Sequence, residues 1–270
     1  MKKFEGKVIC CDIDGTLLND NFEIPKENLK AIEYFRSEGG IFTVATGRTP
    51  GGIARYMNEL SFDCPIVCQN GGGVYDYYKE EYVWHMPLPR EAEEVIDYVK
   101  EKFPQTGVEI MSTKGAYCVK ENFSTRKHET DEHFKFLTSD VDGVSGGWLK
   151  IVFANLPPTT DKIQALLEKS EFYNKYQMVR SYPTYYEFVH KSTNKANALS
   201  ELSKLINVNI SDFIVIGDNE NDCSMLSMPS KSFTPSTGVK VAKDCADIVL
   251  KSSHNDGVLK EVVEILEKGM

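Results

Sequence analysis

Two carboxylates, Asp12 and Asp14 in Asp12-Ile13-Asp14-Gly15-Thr16-Leu17, stand directly after the apolar run Val8-Ile9-Cys10-Cys11. Residues two apart on an extended segment point the same way, so both acids converge on one spot until Gly15 lets the chain turn aside. Crowding of that kind suits metal-assisted chemistry. A second stretch repeats the design, because Gly217-Asp218-Asn219-Glu220-Asn221-Asp222 follows the apolar Phe213-Ile214-Val215-Ile216. Like charges about 4 Å apart repel by roughly 4 kcal/mol at an effective dielectric near 20. Asp12, Asp14, Asp218 and Asp222 could therefore cluster only around a cation, and an all-oxygen set favours Mg²⁺. Thr46, Gly47 and Arg48, in Ala45-Thr46-Gly47-Arg48, add a hydroxyl, backbone N–H groups and a guanidinium where a strand gives way to a helix, which is phosphate-binding chemistry. Lys195, in Ser192-Thr193-Asn194-Lys195-Ala196, is a cation in the first turn of a helix, where the dipole prefers an anion. Taken singly, each has a plain reading as well: a solvated acidic turn for Asp218–Asp222, a surface lysine for Lys195.

These residues need a scaffold that brings distant segments to one place. Val8 to Ile13, Ile41 to Ala45 and Pro65 to Cys68 read as short buried strands. Between them, Pro25 to Arg36 places Leu29, Ile32 and Phe35 on one helical face, and Ile53 to Leu60 does the same with Ile53, Met57 and Leu60. This βαβα texture predicts an α/β fold, a Rossmann-like parallel sheet with helices on both faces. Ligands in such sheets bind beyond the carboxyl ends of the strands. From about Leu88 the texture changes. A helix over Arg90 to Phe103, a hairpin from Val108–Ser112 and Tyr117–Lys120, a strand Trp148–Ala154, a helix Thr160–Tyr176 and a strand Tyr185–Val189 predict an inserted α+β domain with an antiparallel sheet. The βα pattern then resumes with a helix over Ser192–Ile206, the strand Phe213–Ile216 and a final helix over Gly257–Glu267. The expected division is a core of 1–87 with 189–270 and an insert of 88–188.

The chain has 270 residues, 41% of them hydrophobic, enough for a packed core rather than disorder. Its 31 basic against 40 acidic residues, net charge -9, argue against general binding to nucleic acid or an anionic membrane. A phosphate-bearing ligand would need local cations. No run reaches the roughly 18 apolar residues of a membrane span, and charges at Glu5, Lys7 and Asp12 interrupt any signal-peptide core. Seven cysteines, an odd number with two adjacent, do not read as a disulfide framework, so a reducing, cytoplasmic setting is expected.

In order, the four chemical segments resemble the haloacid dehalogenase-like superfamily of phosphohydrolases, and in detail its Cof-type sugar-phosphatase branch. DxDGT, ATGR, a downstream lysine and GDNxND match in type and order over nearly the whole chain. Asn70-Gly71-Gly72 also resembles a recurrent turn of that family, and the insert corresponds to its large C2-type cap. The resemblance implies Mg²⁺-dependent hydrolysis of small phosphorylated metabolites, sugar or polyol phosphates above all. Asp12 would be the nucleophile and Asp14 the acid and base. The metal would be held by Asp12, the Asp14 backbone carbonyl and Asp218, with Asp222 beside it. Thr46, Gly47, Arg48, Lys195 and Asn221 would hold the phosphoryl group. Two alternatives stand beside this reading: a phosphomutase of the same superfamily, and a non-catalytic phosphosugar-binding regulator. One departure concerns Phe233-Thr234-Pro235-Ser236-Thr237-Gly238, where the branch usually carries a small-residue stretch with Asn-Ala.

Other matches fail on context. Gly143-Val144-Ser145-Gly146-Gly147 fits GxSxG but precedes a strand instead of a helix. His128 and His133 are one residue too far apart for helical i, i+4 pairing. Asp218-x-Glu220-x-Asp222 lacks the glycine and terminal acid of a calcium loop.

Overall fold

The computed structural model describes residues 2–131 and 134–269. The chain divides into two compact units, Met1–Trp84 with Asn194–Met270, and His85–Thr193.

The chain begins with strands β1 (Val8–Cys11), β2 (Ile41–Val44), β3 (Ile66–Cys68), β4 (Gly73–Asp76) and β5 (Glu81–His85), all in the first unit except His85, where the second unit's segment starts. That segment supplies β6 (Gly107–Ser112), β7 (Gly115–Lys120), β8 (Leu137–Thr138), β9 (Trp148–Ala154), β10 (Gln177–Tyr182) and β11 (Tyr185–Val189). The first unit then continues with β12 (Phe213–Ile216), β13 (Lys231–Thr234) and β14 (Ile248–Val249). Its main sheet is parallel, in the order β14-β13-β12-β1-β2. A parallel sheet is covered on both faces, which requires runs apolar at every position, and β1 and β12 meet that condition. Ile9, Cys11, Ile214 and Ile216 pack beneath the helices Lys26–Ser37 and Val258–Glu267, through Ile32, Phe35, Leu259 and Val262. On the opposite face Val8, Cys10, Phe213 and Val215 meet Ala198, Leu199 and Leu202 of the helix Lys195–Leu205.

Beyond β2 the sheet ends differently from a simple continuation. β3 touches it only by the bridge Ala45–Val67 and pairs antiparallel with β4, which in turn lies beside β5. The sequence pattern does not mark β4 and β5, whose apolar residues are diluted by tyrosines and acids, nor β8, β10, β13 and β14. The helix expected over Ile53–Leu60 is three short pieces, Pro50–Ile53, Ala54–Tyr56 and Met57–Leu60. Gly51 and Gly52 weaken its first turn, while Pro50 at N1 and the Thr49 hydroxyl, accepting from Gly52 N at 3.2 Å, still start it.

The second unit is a six-stranded sheet, β10-β11-β9-β6-β7-β8, antiparallel except where β8 runs parallel to β7. One face buries Ile110, Ile151, Phe153 and Phe188 against Val95, Ile96 and Val99 of the helix Glu94–Lys102, and against Ile163 and Leu167 of the helix Pro157–Leu167. The helix predicted over Thr160–Tyr176 breaks between Pro157–Leu167 and Phe172–Lys175. Gly143–Gly147 lies outside helices and strands, and Glu132 and His133 fall outside the described residues.

Candidate active site

Pairing of β1 with β12 decides the site. Because Cys11 lies opposite Ile216 in parallel register, Asp12 and Gly217–Asp218 emerge side by side at the carboxyl end of the sheet. Asp12 N donates to Ile216 O at 2.8 Å, which fixes that end. The carboxylates of Asp12, Asp218 and Asp222 place oxygens within 4.8 Å of one another, the only such acidic or His/Cys cluster among the described residues.

After Asp12 the chain makes one wide turn, closed by Leu18 N donating to Ile13 O at 3.0 Å. Gly15 occupies its tightest point at φ +81°, and a Cβ there would stand 2.6 Å from Asp218 Oδ2. Both the left-handed backbone and the missing side chain are therefore required. Thr16 Oγ1 donates to Asp218 Oδ1 at 2.8 Å and aims that carboxylate. Thr16 belongs to the DxDGT run but carried no expected role; its hydroxyl one residue past the turn glycine was the available signal.

Lys195 is fully buried, with Nζ 2.5 Å from both Asp12 Oδ1 and Asp222 Oδ1. It is no surface lysine. Asn194 caps its helix by accepting from Asn197 N at 2.8 Å. Gly71, at φ +93°, lies against this cap so closely that a Cβ would meet Asn194 O at 2.0 Å. The Asn70-Gly71-Gly72 turn thus seats the helix that delivers the ammonium. Asp222 is saturated: Oδ1 receives Lys195, while Oδ2 accepts from Asp218 N at 2.9 Å and Asn219 N at 3.0 Å.

Burial raises the Asp12 carboxyl well above the usual carboxylate range, Lys195 opposes that rise, and the neighbouring acids add to it. Burial also works against the charge on Lys195, yet Asp12 and Asp222 outweigh it and leave the ammonium above the ordinary lysine range. Asp218 is pushed up to about 6, by burial first and Asp222 second. One ammonium therefore faces three carboxylates, two of which are inclined to take up a proton in place of a cation. Its donors are hard carboxylate oxygens, which fit a cation such as Mg²⁺.

Asp14 stands apart from the three-carboxylate cluster. Its side chain is 46% exposed and forms a two-pronged pair with Arg48, Nε to Oδ2 at 2.8 Å and Nη2 to Oδ1 at 2.7 Å. Thr46 is buried where β2 ends, and its Oγ1 accepts from Arg48 N at 3.2 Å. Gly47 faces the Asn70 amide, which a Cβ would approach to 3.1 Å. Asn221 Nδ2 donates to Asn70 Oδ1 at 2.9 Å, joining the turn after β12 to the turn after β3. In sequence Asn70 is only part of a turn, and its pairing with Asn221 depends on the fold.

A family model for haloacid dehalogenase-like hydrolases matches residues 9–262, and so spans both acidic segments, Lys195 and the second unit. The chain belongs to the haloacid dehalogenase-like hydrolases. Within this hydrolase family it is 26% identical over 272 residues to "Putative phosphatase YxeH" of Bacillus subtilis (strain 168), covering 96% of this chain and 98% of that one. It is 24% identical over 292 residues to the same organism's 5-amino-6-(5-phospho-D-ribitylamino)uracil phosphatase YwtE, covering 96% and 98%. A haloacid dehalogenase-like hydrolase from Bacteroides thetaiotaomicron shares the fold at a TM-score of 0.84, with 22% identity over 96% of this chain and 99% of that one. No helix among the described residues of the hydrolase is long and apolar enough to cross a membrane.

Proposed function

We propose that this hydrolase is a Mg²⁺-dependent phosphatase of small phosphate monoesters, sugar or polyol phosphates in particular, working through an aspartyl-phosphate on Asp12. The observation that carries the reading is the buried Lys195 ammonium shared by Asp12 and Asp222, with Asp218 alongside. A structural ion pair needs one carboxylate for one ammonium; two further carboxylates in the same space leave negative charge that a bound cation would offset.

Asp12, with Oδ1 held by Lys195, attacks phosphorus, and the bond to the alcohol oxygen breaks as the Asp12–phosphorus bond forms. Asp14 gives that oxygen its proton. It then takes a proton from the water that attacks the aspartyl-phosphate, releasing inorganic phosphate and restoring Asp12. The pair with Arg48 holds Asp14 aside in the free protein, and an arriving phosphate ester competes for the guanidinium and releases the carboxyl group. Thr46, Lys195 and Asn221 hold the phosphoryl oxygens. Mg²⁺ bound by Asp12, the Asp14 carbonyl and Asp218, next to Asp222, would supply the positive charge that lessens repulsion between carboxylate and phosphate.

The test is inorganic phosphate release by the full chain across a panel of phosphorylated metabolites, with Mg²⁺ and with EDTA. Release that needs Mg²⁺ is expected. Isomerised ester without free phosphate would replace the phosphatase with a mutase, and tight binding without turnover would replace it with a sensor.

A further inference from the structure

Six arginines stand in the sequence, and five of them, Arg36, Arg48, Arg90, Arg126 and Arg180, form an ion pair with a carboxylate. Arg55 alone has no acidic partner among the described residues, although the chain carries a net charge of -9. Its side chain is nonetheless held in place. Arg55 is exposed on the short turn of helix Ala54–Tyr56, where its Nη2 donates to the Tyr56 hydroxyl and its guanidinium carbon lies 4.7 Å from the centroid of the Tyr56 ring. Tyr56 is buried, and its hydroxyl donates in turn to Phe22 O at 3.2 Å.

The same ring carries Arg48, whose guanidinium carbon lies 5.8 Å from its centroid. The two guanidinium carbons therefore stand no farther apart than the sum of those two distances, both inside the first unit. Arg48 is committed to Asp14 by its two-pronged pair. Arg55 spends one of its five N–H donors on Tyr56. The rest form a planar fork that matches the oxygens of a carboxylate or a phosphate. The structural need for Arg55 is slight, because the Tyr56 hydroxyl already has an acceptor in Phe22 O, and an exposed cation–π contact contributes little.

We propose that Arg55 selects the substrate by binding a second oxyanion, a carboxylate or a second phosphate, carried on the alcohol part of the ester. This deepens the phosphatase reading and rests on it. In that reading Asp14 protonates the leaving oxygen, so the alcohol departs along the line of contacts Asp14–Arg48–Tyr56–Arg55. An ester with a second negative charge is repelled by the protein's overall charge and is retained only where a cation stands without its own acid. Charge-assisted, two-pronged hydrogen bonds then add orientation to attraction. The class that fits is sugar-acid phosphates and bisphosphates, in preference to polyol phosphates with a neutral alcohol part.

The test uses the full chain with Mg²⁺ and two matched pairs of esters, 3-phosphoglycerate against glycerol 3-phosphate and fructose 1,6-bisphosphate against fructose 6-phosphate. The first pair reports a carboxylate site and the second a phosphate site. In at least one pair the wild type should favour the doubly anionic member in kcat/KM by about tenfold or more. Arg55→Ala should shrink that preference by about tenfold or more, through KM more than through kcat. Arg55→Lys should restore part of it, since the charge returns without the fork. No preference in either pair overturns the inference. So does an equal proportional loss for both members in Arg55→Ala, which would mark Arg55 as a support for Tyr56. If no ester is hydrolysed at all, the phosphatase reading fails, and calorimetric affinities of the same four compounds for wild type and Arg55→Ala decide this inference, with equal or absent binding overturning it.

Discussion

Lys195→Met removes a charge and keeps the length of the side chain, so it isolates what the buried ammonium does. In the wild type Nζ lies 2.5 Å from Asp12 Oδ1 and 2.5 Å from Asp222 Oδ1, all three groups being nearly inaccessible to water. The variant leaves two carboxylates facing each other around a thioether. Breaking a buried ion pair by deleting one partner costs about 3–5 kcal/mol. At about 2–4 °C per kcal/mol for a domain of this size, the melting temperature should fall by roughly 6–20 °C in EDTA at pH 8. The pH dependence is a sharper signature than the size. Burial already raises the Asp12 carboxyl, and Lys195 is the charge that lowers it, so the substitution raises it further. A carboxyl whose folded value exceeds its unfolded one destabilises the fold at high pH and ceases to do so as it takes up its proton. The difference between variant and wild type should therefore narrow as pH falls from 8 to 5, and turnover with saturating Mg²⁺ should drop by about 10²–10³. Calorimetry at four pH values with parallel phosphate-release assays reads both effects. A variant melting within about 2 °C of wild type at pH 8, or a gap that widens on acidification, refutes this account of the site.

Asp12→Asn should fold and lack turnover, because an amide neither attacks phosphorus nor pairs with Lys195 as a carboxylate does; wild-type phosphate release from the pure variant rejects covalent catalysis. Asp218, at about 6 when folded against 3.8 unfolded, contributes stability below pH 3.8 that is lost as pH rises through 6, a change of about 3 kcal/mol at most. Since Mg²⁺ binds the deprotonated form, its stabilising effect in calorimetry should be larger at pH 7.5 than at pH 5, and an equal effect at both removes Asp218 from the metal set. Gly15→Ala should cost about 1–2 kcal/mol for the left-handed backbone alone and should also weaken Mg²⁺ affinity by pushing on Asp218 Oδ2, measurable by titration; unchanged affinity shows that the carboxylate yields freely. Arg48→Lys keeps the charge but loses the two-pronged grip on Asp14, so turnover should change more than melting temperature, and equal losses in both would mark Arg48 as merely structural.

Much of this protein is legible in its sequence because its decisive features are local. Val8–Cys11 and Phe213–Ile216 are apolar at every position, which only a strand covered on both faces requires, and the acids that follow each run belong where a parallel sheet binds ligands. Residue types and strand-end positions marked Asp12, Asp14 and Asp218 as candidates. Other features depend on contacts across more than a hundred residues. Lys195 reads as a solvated lysine until the helix it begins is packed against β1 and β12, 183 residues from Asp12 in sequence, and burial turns it into a shared counter-ion. Thr16 and Asn70 acquire partners only once Asp218 and Asn221 arrive beside them. Even the pairing of Asp14 with Arg48, only 34 residues away, which takes Asp14 out of the carboxylate cluster, follows from where the turn after β2 ends. Short-range pattern sets which residues can do the chemistry, because backbone geometry and apolar burial act within a few residues; charge, desolvation and hydrogen bonding act through space, so tertiary structure sets what each residue faces.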